Sequence, residues 1–266
     1  MHWIVQNNLF GEQAVEELVT LLRRHGIRHD VVKLIPFGGG IEPDVEPEGP
    51  VVVIGAFGLS RHAQARGWAP GSWMGRNGPV DFDFDACCAV FGEQMLNHAA
   101  RVVPFRDALE HDHDPFFIRP ASDGKAFAGT VLDRAGFAEW RDRITATDSF
   151  GPDTPVVVGP VREILSETRF IVVDGKVVAG SVYRRDGRLH SDTAIEPHVL
   201  AYARDRAQEW TPDRVCVMDI ADTPDGLRII EFNNFNSAGW YGSDVSRIVQ
   251  AIEALDVPAP EECTLR

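Results

Sequence analysis

The sequence predicts an α/β N-terminal lobe followed by an α+β half with antiparallel sheets. Three observations carry this. Strand and helix signals alternate from residue 1 to about 105. One of those strands contains an unbroken apolar run, VVVI, as in a parallel strand covered on both faces. Later in the chain, two Asp-Gly pairs sit between strand-like runs, which signals hairpins and hence antiparallel pairing.

Taken in order, HWIV (2–5) opens a sheet. In GEQAVEELVTLLRRHG (11–26), Val15, Leu18, Val19 and Leu22 recur at helical spacing and Gly26 stops the helix. HDVVKLI (29–35) is a second strand and PVVVIGAF (50–57) a third, buried one. Between them PFGGGIEPDVEPEGP (36–50) is an aperiodic loop; no helix follows its glycines, so it is not a Rossmann-type phosphate loop. These pieces form one lobe over 1–105, leaving 106–266 for the second half. There DPFFIRP (114–120) is a strand stopped by Pro120 and followed by the loop ASDGK, and PVVVGPVREIL (155–165) is another apolar strand. RFIVV and KVVAGSVYR flank Asp174-Gly175 as a hairpin, and PHVLAYARDRAQEW (197–210) is an amphipathic helix. RVCVMDIAD (214–222) and GLRIIEFN (226–233) form a second hairpin around Asp225-Gly226, and DVSRIVQAIEAL (244–255) is the last helix.

At 266 residues, 44% hydrophobic and 25% charged, the chain has the balance of an ordinary globular protein. Its net charge of −14 opposes nucleic-acid phosphates and anionic membrane surfaces, so neither is an expected partner, and any nucleotide site must gather its own cations. No basic leader precedes an apolar stretch at MHWIVQNNLFGEQ, and no window approaches the roughly 18 apolar residues of a membrane span. The four cysteines, Cys87, Cys88, Cys216 and Cys263, follow neither a zinc pattern nor a disulfide framework, so a reduced, cytoplasmic setting is expected. HDHD (111–114) reads as a solvated loop, DFDFD (81–85) as an edge strand or helix approach, and Cys87 as a small core residue.

The chemistry concentrates in VMDIADTPDGLRIIEFNNFN (217–236). Asp219 lies on one strand of the second hairpin. Glu231 and Asn233 lie two apart on the other, so both leave one face. Two carboxylates and an amide oxygen make a hard-oxygen site suited to Mg²⁺, with water and phosphate oxygens completing the shell. The neighbours Val217, Met218, Ile220, Ile229, Ile230 and Phe232 are apolar, and burying two anions there without a cation would cost several kcal/mol. Arg119, preceded by Phe116, Phe117 and Ile118, needs an anionic partner and offers planar donors suited to phosphate.

This D…E-x-N arrangement, downstream of an apolar strand and a cationic loop, resembles the ATP-grasp fold over residues 115–242, and the first lobe resembles the domain that precedes it. Within the superfamily, the Arg-Pro strand, the later lysine and the E-x-R hairpin are similar to the clade marked by two arginines and a lysine. The resemblance implies ATP and Mg²⁺ as cofactors. It implies that FFIRPASDGKAFAG (116–129) holds the phosphates through Arg119 and Lys125, and that VVVGPVREI (156–164) is the linker strand, with Gly159 and Val161 meeting adenine through the main chain. Glu163 or Glu167 would receive the ribose hydroxyls. Arg169 would meet a phosphate or the substrate carboxylate, with Arg184 a further cation. One departure stands out: many members carry an arginine two residues before the metal-binding Asp, where this chain has Val217. Either Arg169 or Arg184 supplies that charge, or the chemistry differs in detail.

The implied reaction is ATP-dependent carboxylate–amine ligation through an acylphosphate, with Lys125, Arg169 and Arg184 as catalytic cations. NNFNSAGWYGSD (233–244) is the expected floor of the acceptor pocket: Asn236 and the backbone at Gly239 would read the substrate, and Trp240 and Tyr241 either stack on it or belong to an ordinary loop. The expected partners are a small-molecule or peptide carboxylate and an amine. The alternatives are a small-molecule kinase on the same fold and a nucleotide-binding regulatory module.

Overall fold

In the computed structural model, residues 1–9, 12–38, 40–122, 127–145 and 151–257 are described. The first lobe comprises β1 (His2–Gln6), α1 (Glu12–Arg24), β2 (His29–Leu34), β3 (Ile41–Glu42), β4 (Val51–Ile54), α2 (Phe57–Ala65) and β5 (Pro70–Gly71). Its sheet runs β3-β2-β1-β4-β5, parallel except for the short β3. The alternation of β1 explains its burial on both sides: Ile4 faces Val32, Val53 and Leu59 under α2, while Trp3 and Val5 face Leu18 and Leu22 of α1. Two details differ from expectation. The strand expected over 50–57 ends at Ile54 and Phe57 begins a helix, and Ile41–Glu42 pairs inside the supposedly aperiodic loop.

A smaller sheet follows, with α3 (Phe84–Phe91), β6 (Arg101–Pro104), β7 (Phe116–Pro120), β8 (Thr130–Leu132), α4 (Arg134–Ile144) and β9 (Pro155–Pro160). The order is β6-β9-β7-β8, every pair antiparallel. Helix α4, capped by Asp133 accepting from Gly136 N at 2.6 Å, lays Phe137 and Trp140 on Phe116, Ile118, Val156 and Val158 as a separate core.

The largest sheet contains β10 (Ser166–Val173), β11 (Lys176–Arg185), β12 (Arg188–Asp192), β13 (Val215–Thr223) and β14 (Gly226–Asn234), ordered β12-β11-β10-β13-β14 and wholly antiparallel. The β10–β11 hairpin turns where expected: Asp174 and Gly175 have φ of 46° and 71°, the left-handed pair that matches strand twist. One face of this sheet packs on α5 (Pro197–Glu209) and α3 through Phe170, Met218 and Phe232. The other carries Ile171, Val173, Val215 and Val217 into a core shared with α6 (Val245–Glu253) and with Trp3, Val5 and Val52 of the first lobe. Among the described residues, no helix is long and apolar enough to cross a membrane.

Candidate active site

The face of the large sheet that is apolar at Val173/Val215 and Ile171/Val217 turns charged one row further on. Arg169 on β10 stands opposite Asp219 on β13, which stands opposite Glu231 on β14; Val217 is opposite Asn233. These residues therefore continue the core's own alternation to the point where the sheet leaves the core and meets a cavity of about 700 Å³. The small sheet forms its other wall, with Phe117 and Arg119. Two bulges widen the charged set. Pairing passes from Glu167↔Arg184 to Thr168↔Val182, which makes Tyr183 an extra residue on β11. It passes from Asp219↔Glu231 to Ile220↔Ile229, which does the same for Ile230 on β14. Neighbours that would otherwise point to opposite faces, Tyr183 with Arg184 and Ile230 with Glu231, all line the cavity.

Arg169 binds Asp219 in a bidentate fork, Nε to Oδ1 at 2.8 Å and Nη2 to Oδ2 at 2.7 Å, and donates from Nη1 to the Gly239 carbonyl at 2.8 Å. Its guanidinium lies 4.9 Å from the ring centre of Tyr241 and 5.5 Å from that of Tyr183; the two rings stack 4.7 Å apart. Asp219 is 1% exposed. Burial pushes its carboxyl above the ordinary range, Arg169 pulls it down, and Glu231 and Glu167 push it up again. Tyr183 donates a short hydrogen bond to Glu167, and burial with the nearby carboxylates raises its phenol. Arg184 pairs with Glu167 at 3.5 Å. From the small sheet, Arg119 reaches across to Glu231, Nη1 to Oε2 at 2.9 Å, and lies over the Phe84 ring.

Asn233 ties the two acids together, Nδ2 lying 3.1 Å from Glu231 Oε1 and 3.4 Å from Asp219 Oδ2. Turned by 180° about its terminal torsion, the same amide presents Oδ1 instead. The donor set fits a small hard divalent cation: it consists of oxygens, two of them from carboxylates directly opposed across one strand pair. No cluster of three His, Cys, Asp or Glu side chains suited to a metal occurs among the described residues; an ion held by these two carboxylates and the amide would complete its shell with other oxygens.

Of the residues expected from sequence, Arg119, Glu167, Arg169, Arg184, Asp219, Glu231, Asn233, Val161 and Gly239 line the cavity. Lys125 lies outside the described residues. Glu163 is exposed and away from the cavity walls. Gly159 is buried against Ala100, where a Cβ would come within 2.7 Å of the alanine methyl, and is likewise not a wall residue. Asn236 is not brought to the cavity either. It is 1% exposed, accepting from Trp73 N at 2.9 Å and donating to Val53 O at 2.6 Å, so its amide fastens the first lobe. Trp240 is core, stacked on Phe235, whereas Tyr241 stands at the cavity with φ of 48°. Tyr183 and Arg162 line the site without having been expected; for Tyr183 the signal is the bulge, which local alternation does not reveal. Cys87, 1% exposed with its thiol pushed up to about 12 by burial, is the inert core residue expected.

No curated protein matches the chain. Among solved structures, the ATP-grasp ligase PsnB complexed with minimal precursor is 15% identical, with 95% of this chain and 98% of that one covered and a TM-score of 0.57. The D-cycloserine synthetase DcsG is 16% identical, with 95% and 98% covered and a TM-score of 0.59. A RimK domain ATP-grasp protein from Sphaerobacter thermophilus DSM 20745 is 13% identical, with 95% and 96% covered and a TM-score of 0.61. At such identities the likeness is one of fold. The model for the ATP-grasp domain of the clade marked by two arginines and a lysine, family 2, matches residues 96–251, more than half of the sequence, and the chain therefore belongs to that family.

Proposed function

We propose that this protein is an ATP-dependent carbon–nitrogen ligase that activates a carboxylate as an acylphosphate and joins it to an amine. The observation that carries the reading is the row Arg169–Asp219–Glu231 with Asn233, facing a cavity into which the opposite sheet sends Arg119. Family membership supports it. So do similar folds solved as a ligase with precursor, Mg and ADP, and as a D-alanine–D-alanine ligase.

In this reading Asp219, Glu231 and Asn233 would hold Mg²⁺, which would supply neutralising charge to the phosphate oxygens. Arg119 receives phosphate oxygens from the small-sheet side, with Lys125 contributing a second cation. Val161 offers its main chain to adenine, and Glu167, on the wall where Glu163 is not, accepts from the ribose. Arg169 is held by Asp219, Gly239 and two rings, so its work is to keep Asp219 ionised and aimed rather than to travel with a phosphate. Arg184, paired with Glu167 only at 3.5 Å, is the cation free to take the substrate carboxylate. A carboxylate oxygen attacks the γ-phosphorus and ADP leaves. The amine then attacks the acyl carbon, inorganic phosphate leaves, and the amine's proton passes to solvent.

The test is ADP release from ATP and Mg²⁺ across a panel of amino acids and short peptides. A ligase requires an acid and an amine together; release with an alcohol alone would make the protein a kinase. Asp219→Ala and Glu231→Ala are each expected to lower turnover at least about 100-fold, since the ion stabilises charge developed in the transition state. Full turnover in both variants would refute the metal assignment.

A further inference from the structure

The two arginines that hold the acids are held very differently. Arg169 faces Asp219 within one sheet, in register, through a bidentate fork, a third bond to Gly239 and two aromatic rings. Arg119 reaches Glu231 from a different sheet through one bond of 2.9 Å, and its Nε is buried with no acceptor. The Glu231 side chain keeps 29% of its surface exposed to the cavity. A cation entering the cavity competes with Arg119 for Glu231, and an anionic oxygen competes with Glu231 for Arg119. Either ligand alone breaks the pair and strands one charge. Both together exchange partners and strand none.

We infer that Arg119 is a place-holder for the metal's charge on Glu231, so that divalent cation and nucleotide enter as a coupled pair and the cation alone is resisted. The inference rests on the metal reading above and adds an order to it. Such place-holding makes metal affinity depend on nucleotide beyond chelation by the phosphates themselves, and it assigns that dependence to one side chain. Arg119 is on this account a positioning residue for the empty site and a phosphate ligand for the filled one.

Mn²⁺ binding to the nucleotide-free protein, followed by electron paramagnetic resonance, tests this directly. Arg119→Gln is expected to bind Mn²⁺ about tenfold more tightly than wild type, in the range usual for coupled sites, and Arg119→Lys to remain close to wild type. Tighter binding cannot come from a misfolded variant. With ADP as the probe, Arg119→Gln is expected to bind the nucleotide more weakly. Equal nucleotide-free Mn²⁺ affinities in wild type and Arg119→Gln, with Asp219→Asn abolishing binding, would overturn the place-holder while leaving the metal site standing. Unchanged Mn²⁺ binding in Asp219→Asn would overturn the site and this inference with it.

Discussion

Arg169→Met removes the guanidinium while keeping an apolar stem of similar reach, and so isolates the charge on Asp219. Lost with it are the bonds of 2.8 and 2.7 Å to the carboxylate and the bond of 2.8 Å to the Gly239 carbonyl. Asp219 is left 1% exposed, beside Asn233 and with Glu231 and Glu167 raising its carboxyl further. Breaking a buried pair by removing one partner costs about 3–5 kcal/mol, at least about a fifth of the ~5–15 kcal/mol that holds a typical domain together. The pH dependence has a definite sign. Folded Asp219 already binds its proton more tightly than the unfolded chain does, so its contribution to stability is full below the unfolded pKa and is lost as pH rises through the folded one. Without Arg169 that loss grows. The deficit should therefore be greatest at neutral pH and shrink toward the acid range. Urea unfolding across pH measures it, and adding Asp219→Asn to Arg169→Met should recover about 2 kcal/mol, because both ends of the pair are then uncharged. A pH-independent deficit below ~1 kcal/mol, or a double variant whose losses simply add, would refute the reasoning.

Other expectations follow from single contacts. Asn236→Ala leaves the Trp73 N–H and the Val53 carbonyl without their amide partner, and should cost about 2–5 kcal/mol in urea unfolding. Gly180→Ala places a Cβ 2.7 Å from Phe170 Cδ1 and 2.8 Å from the Arg169 carbonyl oxygen, an overpacking worth about 1–3 kcal/mol, read as a lower Tm. Asp174→Asn keeps a residue tolerant of φ 46° but removes the fork to Arg214, both bonds 2.8 Å. That pair is 45% and 38% exposed, so the change should cost only about 0.5 kcal/mol. The Arg214 hydrogen bond lowers the Asp174 carboxyl, so the difference should be present at neutral pH and disappear as pH falls through that lowered value.

Where pairing is local, the sequence could be read. Asp174-Gly175 announces its own turn, and the alternation of Glu231 and Asn233 survives because the bulge at Ile230 falls before them. Asp186-Gly187, with φ of 48° and 72°, carried the same signal and marks the unexpected β12. What escaped depends on distant partners. Asn236 sits in an Asn/Gly/Ser-rich stretch that reads locally as a pocket floor, yet its bonds go to residues 53 and 73. Arg119 needs an anion, as its apolar neighbours implied, but the one it meets here is Glu231, 112 residues away. Helices α2, α3 and α4 carry no clear helical periodicity: α3, FDACCAVF, is apolar at every position but Asp85, while α2 and α4 mix few apolar residues with polar ones, and α4 takes its place from aromatic contacts with the small sheet.

The core common to the first lobe, α6 and the large sheet has a mechanical consequence. Trp3, Val52, Ile171, Val217 and Ile248 interlock across it, and Asn236 stitches the same seam with hydrogen bonds, whereas the small sheet has aromatic packing of its own. That core draws on residues from both the first lobe and α6, while the small sheet that lies between them in chain order packs its aromatic residues separately and walls the cavity from the other side. Excising the N-terminal residues to obtain the family's core by itself would strip apolar surface bare, and the fragment would be expected to clump rather than bind nucleotide.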